Sequence, residues 1–95
     1  MKAEIDGLWF EWDEEKNKYN KRVHKISFET AARVFFDDMR ITYYDSQHSG
    51  EEDRFIVLGK VNEVLFVVCT DRNDTHRIIS ARLATAKERQ IYYGN

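Results

Sequence analysis

The feature that most limits the possible folds is a short apolar run in the second half of the chain, Val64–Cys69 (VLFVVC). The run is strand-sized and apolar on both faces, as in a central strand of a sheet that is covered on both sides. We therefore predict a strand over Val64–Thr70. The turn Lys60–Glu63 joins it to a second predicted strand, Arg54–Val61, so the two strands are expected to form an antiparallel hairpin.

The other elements follow from caps and periodicity. Further strands are predicted at Leu8–Trp12, Ile41–Tyr44 and His76–Arg82. Helices are predicted after the N-caps Asp13 and Ser27 and at a T-x-x-E capping box, Thr85–Glu88. The order β-α-α-β-β-β-β-α predicts an α+β fold, with helices packed on a curved antiparallel sheet. With 95 residues, no proline and four glycines, the chain is expected to be a single domain, 1–95.

Spacing also predicts which helical residues face the core. The first helix has a thin apolar stripe, and the second has the strongest helical period in the chain. The expected core residues are Tyr19, Val23 and Ile26 in the first helix and Phe28, Ala31, Ala32, Phe35 and Met39 in the second.

Composition excludes several classes of protein. No apolar run approaches the roughly 20 residues that cross a bilayer, and the N-terminus lacks the layout of a secretion signal. The single cysteine, Cys69, has no partner for an internal disulfide and lies in an apolar run, which suits a reducing cytosol and an unreactive thiol. Nucleotide-binding glycine loops and paired C-x-x-C motifs are absent from the sequence. We expect a cytoplasmic protein with no membrane segment, no cofactor and no metal site.

Charge is unevenly distributed around a formal total of −2. Residues 16–25 carry a local charge of +5 and residues 72–90 carry +3, whereas residues 37–53 carry −5. A fold that joined the two basic segments would present a cationic face able to bind phosphates. The alternative is that each basic run is the solvated side of a helix.

Arginines recur at the ends of predicted strands: Arg54, Arg72, Arg77 and Arg82. The guanidinium group is a rigid fork of donors that fits pairs of phosphate oxygens. Alternation along HRIISAR puts Ile78, Ser80 and Arg82 on one face of the strand and Arg77, Ile79 and Ala81 on the other. The alternative interpretation is that these arginines are ordinary surface cations.

Five blocks in unchanged order resemble the BrnT toxins of type II toxin–antitoxin systems: WDEEKNKYNKRVHKISFETAARVF, HSGEEDRFIVLG, VLFVVCTDR, RIISAR and ATAKERQIYY. The resemblance runs from about Phe10 to about Tyr93. It implies a RelE-like ribonuclease fold and a cytoplasmic, metal-independent endoribonuclease that cleaves RNA and inhibits translation. It also implies a BrnA-type antitoxin that neutralises the toxin and carries the complex to operator DNA. This chain departs from the family pattern at Val23 and Lys25, on either side of His24.

The resemblance implies RNA cleavage, and the residues of this chain suggest which of them could play each role in it. Cleavage requires a base for the ribose 2′-hydroxyl, cations for the charged phosphorane and an acid for the 5′-oxygen. The catalytic candidates are Arg77, Arg82 and Arg54 as the phosphate-holding cations and His24 as the base. The substrate-binding candidates are Lys16, Arg22, Thr70, Arg72, Ser80 and Tyr92.

Three of these residues have structural alternatives. His24 is also placed to form hydrogen bonds with the last carbonyls of its helix. Ser80 could instead satisfy hydrogen-bonding groups of the sheet. Tyr92, the candidate for base stacking or for the acid, could instead pack in the core. For the whole protein, the alternatives are a non-catalytic interaction module that binds a DNA-binding partner, and a nuclease that acts only on mRNA at the ribosome.

Overall fold

The computed structural model describes residues 1–94 as a six-stranded sheet with three α-helices. The elements are β1 (Lys2–Ile5), β2 (Leu8–Glu11), α1 (Glu14–His24), α2 (Phe28–Ala32), a 3-10 turn (Arg33–Phe36), β3 (Ile41–Tyr44), β4 (Phe55–Val61), β5 (Glu63–Arg72), β6 (Thr75–Leu83) and α3 (Ala86–Tyr93). The α+β class is confirmed.

The sheet has the strand order β1-β2-β6-β5-β4-β3. The hairpin β4–β5 is antiparallel, as predicted, and β5 lies between β4 and β6. Two details correct the prediction. Strand β1 was missed, and β2 runs parallel to β6, so the sheet is mixed. Because β2 and β6 are far apart in the sequence, no local pattern contained this pairing.

The sheet is covered on both faces near its centre. One face packs against α1 and α2, and buries residues such as Phe28, Val67 and Cys69. On the other face, α3 covers a smaller cluster that includes Val64 and Tyr92. The expected cover on both faces is found at the start of the Val64–Cys69 run, where α3 covers Val64. Phe66 and Val68 are only partly buried, and this part of the second face is open beside α3.

The second helix is shorter than its period predicted. It ends at Ala32 and tightens into the 3-10 turn, and Met39 is exposed. Asp37 leaves the helical conformation because its carboxylate accepts hydrogen bonds from the backbone amides of Met39 and Lys60. Gly59 allows the 3-10 turn to approach β4, since a Cβ at this position would lie 2.6 Å from the Cβ of Val34.

The buried face of α1 is polar, which corrects the expected apolar stripe. Tyr19 and Val23 are 55% and 47% exposed, whereas Asn17 and Asn20 are buried. The Asn20 side chain donates to the carbonyl of Ala81 at 2.8 Å and accepts from the amide of Ala81 at 3.2 Å. Strand β2 pairs with β6 only at Thr75–Arg77, so Asn20 fills the edge of β6 beyond the end of β2.

Candidate functional site

An open groove of ≈ 430 Å³ lies on the sheet face that α1 and α2 leave uncovered. Neighbouring strands supply its apolar floor, because side chains at alternate positions of adjacent strands stand side by side. The floor consists of Ile56, Phe66, Val68 and Ile79. The polar and charged lining residues are Asp45, Gln47, His48, Arg54, Ser80 and Arg82.

A β-bulge decides which residues of β6 face this groove. Val68 pairs with Ser80, but the next residue, Cys69, pairs with Ile78. Ile79 is therefore an extra residue, and it joins Ser80 on the groove side while Ile78 enters the core. The alternation prediction was right about Ser80 and Arg82, and wrong about Ile78 and Ile79.

The loop between β3 and β4 forms one wall of the groove and is held by its own hydrogen bonds. The hydroxyl of Ser49 donates to the carbonyl of Asp45 at 2.7 Å and accepts from the amide of Arg54 at 2.9 Å. Thr70, buried in β5, donates to the carbonyl of Asp53 at 2.6 Å. Arg72 forms an ion pair with Glu52. Thr70 and Arg72 therefore anchor the loop that carries part of the site.

This loop places a histidine–carboxylate pair at the groove. The Nδ1 atom of His48 lies 3.0 Å from Oδ2 of Asp45 and 3.2 Å from Oδ1. The Asp45 side chain is largely buried, whereas the His48 ring is exposed. A carboxylate at Nδ1 fixes the tautomer that has its proton on Nδ1, so Nε2 is left as an acceptor. Sequence reasoning missed this pair because it favoured a histidine within a basic segment; the available signal was His48, three residues after Asp45 and shortly before Arg54.

Two arginines reach the groove in different electrostatic states. Arg82 donates from Nη1 to Oε1 of Glu88 at 2.7 Å and from Nη2 to Oε2 at 2.9 Å. This paired hydrogen bond lowers the pKa of Glu88 and raises that of Arg82. Within residues 1–94, the Arg54 side chain has no hydrogen-bond or salt-bridge partner, so its guanidinium donors are available to a ligand, although Glu51 and Glu52 line the adjoining hollow with it. Arg54 also lines a second hollow, of ≈ 390 Å³, together with Arg72, and His48 lines both hollows.

Arg77 does not line the groove. It pairs with Thr70 in the sheet and lies 3.8 Å from the carboxylate of Glu11 on β2. Backbone hydrogen bonds at the start of α1 lower the pKa of Asp13, and the nearby charges of Lys16 and Arg77 lower it further. Arg77 and Lys16 therefore both lie close to the beginning of α1.

The predicted residues of α1 also lie outside the groove lining. Lys16, Arg22 and His24 are exposed on the helix that packs against the opposite face of the sheet. Arg22 lies over the ring of Tyr19, 5.5 Å from its centroid. Lys25, with a φ of 63°, ends the helix and donates from Nζ to the carbonyl of Arg22. In the described structure this lysine caps the helix, and His24 makes no such bond.

Tyr92 is the buried residue of α3, and its hydroxyl donates to the carboxylate of Asp37. Tyr92 therefore lies in the core, as the structural alternative for this residue predicted. Burial, together with this hydrogen bond, raises the pKa of Tyr92 to about 12. Burial likewise raises the pKa of the Cys69 thiol to about 12, so the thiol stays protonated and unreactive.

Two further observations concern metal and membrane. Across residues 1–94, no three His, Cys, Asp or Glu side chains are grouped so as to hold a metal ion. Over the same residues, no helix is long and apolar enough to cross a membrane.

The fold is shared with a ribonuclease toxin. The 1.1 Å crystal structure of the Brucella abortus ribonuclease toxin, BrnT, aligns with a TM-score of 0.62 and 20% identity, over 78% of this chain and 92% of that chain. Residues 12–88 match the family of ribonuclease toxins, BrnT, of type II toxin–antitoxin systems. The chain therefore belongs to the BrnT family, and the resemblance seen in its sequence is confirmed. No curated protein matches the chain.

Proposed function

We propose that the chain is a metal-independent endoribonuclease toxin that cleaves RNA in the groove beside α3. The observation that carries this proposal is that Arg54, Arg82 and the His48–Asp45 pair line one open groove. Family membership supplies the ribonuclease activity and the type II toxin–antitoxin context. Because its RNA substrate is found there, we place the protein in the cytoplasm.

In this mechanism Arg54 and Arg82 bind the scissile phosphate. Nε2 of His48 accepts the proton of the ribose 2′-hydroxyl, and Asp45 stabilises the imidazolium that forms. The 2′-oxygen bonds to phosphorus while the bond from phosphorus to the 5′-oxygen breaks. The products are a 2′,3′-cyclic phosphate and a 5′-hydroxyl, and water in the open groove supplies the proton to the leaving oxygen. Ser80, one of the polar residues that line the groove, donates a hydrogen bond to a phosphate oxygen.

The chain's partners follow from the same context. A type II toxin implies an antitoxin, and we propose a BrnA-type protein that also carries the complex to operator DNA. A carboxylate of the antitoxin that paired with Arg54 would occupy its available donors and close the groove.

The test is cleavage of a defined RNA by the purified protein in excess chelator. Cleavage with 2′,3′-cyclic phosphate ends supports the proposal, and the double variant Arg54→Ala/His48→Gln serves as the control for contaminating nucleases. Cleavage only in a translating lysate identifies a ribosome-dependent enzyme. Intact RNA in both settings contradicts the proposal and leaves the non-catalytic interaction module.

A further inference from the structure

The pair formed by Arg82 and Glu88 is more constrained than its role as an ion pair requires. Glu88 lies at the third position of α3, and its Oε1 atom also accepts from the backbone amide of Thr85 at 2.8 Å. Arg82 in turn donates from Nη1 to the carbonyl of Leu83 at 3.1 Å and lies over the ring of Phe66, 3.8 Å from its centroid. Hydrogen bonds therefore hold the guanidinium group within its plane, and the Phe66 ring packs against one of its two faces.

These contacts use one edge of the guanidinium group and leave a second edge without a partner among the described residues. A guanidinium carries five N–H donors in a planar array. Glu88 and Leu83 occupy both protons of Nη1 and one proton of Nη2. Within the described chain, Nε and the second proton of Nη2 have no partner. These two donors lie on the same long edge of Arg82, and together they match two oxygens of a phosphate.

We propose that Glu88 is a positioning residue for RNA cleavage: it holds the terminal edge of Arg82 so that the edge formed by Nε and Nη2 meets the scissile phosphate. This inference rests on the proposed function. Glu88 offsets the charge of Arg82, so Arg82 contributes directed hydrogen bonds, whereas Arg54 has no ion-pair partner among the described residues.

Two substitutions separate this role from helix capping. In Glu88→Gln the side chain still fits the capping box, which accepts glutamine at this position. However, it sets an amide nitrogen, a donor, against Nη2 and breaks the paired hydrogen bond. In Thr85→Ala the capping bond from the Glu88 amide to the Thr85 hydroxyl is lost, while the pair with Arg82 stays.

The expected result is that rate and stability change independently in the two variants. Glu88→Gln should lower kcat about tenfold to a hundredfold, since small misplacements of a catalytic group have effects of this size, with little change in KM and a lower melting temperature because the paired hydrogen bond is lost. Thr85→Ala should lower the melting temperature and keep the parental kcat. A parental or higher kcat in Glu88→Gln would overturn the inference, because Glu88 would then be structural or would restrain Arg82.

A second measurement does not depend on activity. The Nε–H signal of Arg82 in a nitrogen–proton NMR spectrum should shift when a 2′-O-methyl RNA oligonucleotide, which is not cleaved, is added. The shift should be lost in Glu88→Gln. If the parent shows this shift but cleaves no RNA, the proposed function fails and the positioning of Arg82 stands. If the signal does not move in the parent, the inference is wrong whatever the activity.

Discussion

At the scale of single residues, the arginines that looked alike in the sequence have different surroundings. Arg54 lines the groove without an ion pair among the described residues, Arg82 is paired with Glu88, Arg72 is paired with Glu52, and Arg77 lies beside Glu11. Sequence shows that a strand end carries an arginine, but the partner of that arginine comes from another strand or helix. The three-dimensional neighbours therefore separate candidates for catalysis from structural cations.

The first prediction compares Arg54→Ala with Arg77→Ala. Arg54→Ala should lower kcat/KM for RNA by roughly 10²–10³, the usual cost of removing one donor that stabilises the transition-state charge. Arg77→Ala should stay near the parental value, because Arg77 does not line the groove. Kinetics on an RNA oligonucleotide and growth arrest at equal protein abundance measure both. Equal losses in the two variants would contradict this prediction, because they would show that the RNA-binding site extends beyond the groove to Arg77.

The second prediction concerns the two histidines. His48→Gln should remove most of the cleavage rate, because glutamine cannot accept the proton of the ribose 2′-hydroxyl as imidazole does. His24→Gln, on the exposed end of α1, should keep the parental rate. The measurement is kcat/KM on an RNA oligonucleotide for both variants. If His24→Gln were the slower enzyme, the base would belong to α1 and the groove mechanism would be incorrect.

At the scale of elements, α1 is attached to the sheet through amides instead of an apolar stripe. Asn20 satisfies both backbone groups of Ala81 and the carbonyl of Ile26, while Asn17 bonds the amide of Phe28. Periodicity of apolar residues cannot detect such a contact, since asparagine is normally counted as polar and solvent-facing. This is why Tyr19 and Val23 were assigned to the core although the structure exposes them.

The third prediction follows from this attachment. Asn20→Ala should lower the free energy of unfolding by about 1–3 kcal/mol, because it leaves buried backbone groups of β6 without partners. Urea denaturation measures the change. Lys21→Ala, on the exposed side of the same helix, is the matched control and should stay within about 0.5 kcal/mol of the parent. Equal free energies of unfolding for Asn20→Ala and Lys21→Ala would contradict this prediction, because water would then replace the Asn20 side-chain amide at no cost.

Elements with local signals were predicted well. Strand β5, the N-caps Asp13 and Ser27 and the Thr85–Glu88 box are specified by neighbouring residues, and the structure has each of them. Two features were missed. Strand β1 forms a hairpin with β2 across the two-residue turn Asp6–Gly7, a local signal that the prediction overlooked. The bulge in β6 follows from its register with β5 and has no sequence pattern of its own.

At the scale of the whole molecule, one contact joins parts that are far apart in sequence. The carboxylate of Asp37 accepts from the Tyr92 hydroxyl and from the amides of Met39 and Lys60. Burial raises the pKa of Asp37, but these hydrogen bonds outweigh it, and the pKa is lowered overall. The same contact, together with burial, raises the pKa of Tyr92 to about 12. Protonation of Asp37 in acid and deprotonation of Tyr92 in alkali therefore weaken the same contact, which joins α3 to the segment before β3.

The fourth prediction is a stability profile with two limbs. The contribution of Asp37 is complete above its unfolded pKa, near 3.9, and is lost as the pH falls through its lower folded pKa. The contribution of Tyr92 is complete below its unfolded pKa of about 10, and is lost as the pH rises toward about 12. Urea denaturation from pH 2 to 12 should show that Asp37→Asn flattens the acid limb. Tyr92→Phe should flatten part of the alkaline limb, since Cys69 also contributes there. An alkaline limb unchanged in Tyr92→Phe would contradict this assignment.

The amide of Asn20 has a consequence for behaviour at high concentration. Asn20 occupies the edge of β6 beyond β2, so within residues 1–94 the outer strands of the sheet are β1 and β3, and each has four residues. Edge strands this short offer few unpaired backbone N–H and C=O groups to another copy of the protein, so cross-β association between molecules is disfavoured. A protein made in excess would therefore tend to stay dispersed instead of assembling into fibrils.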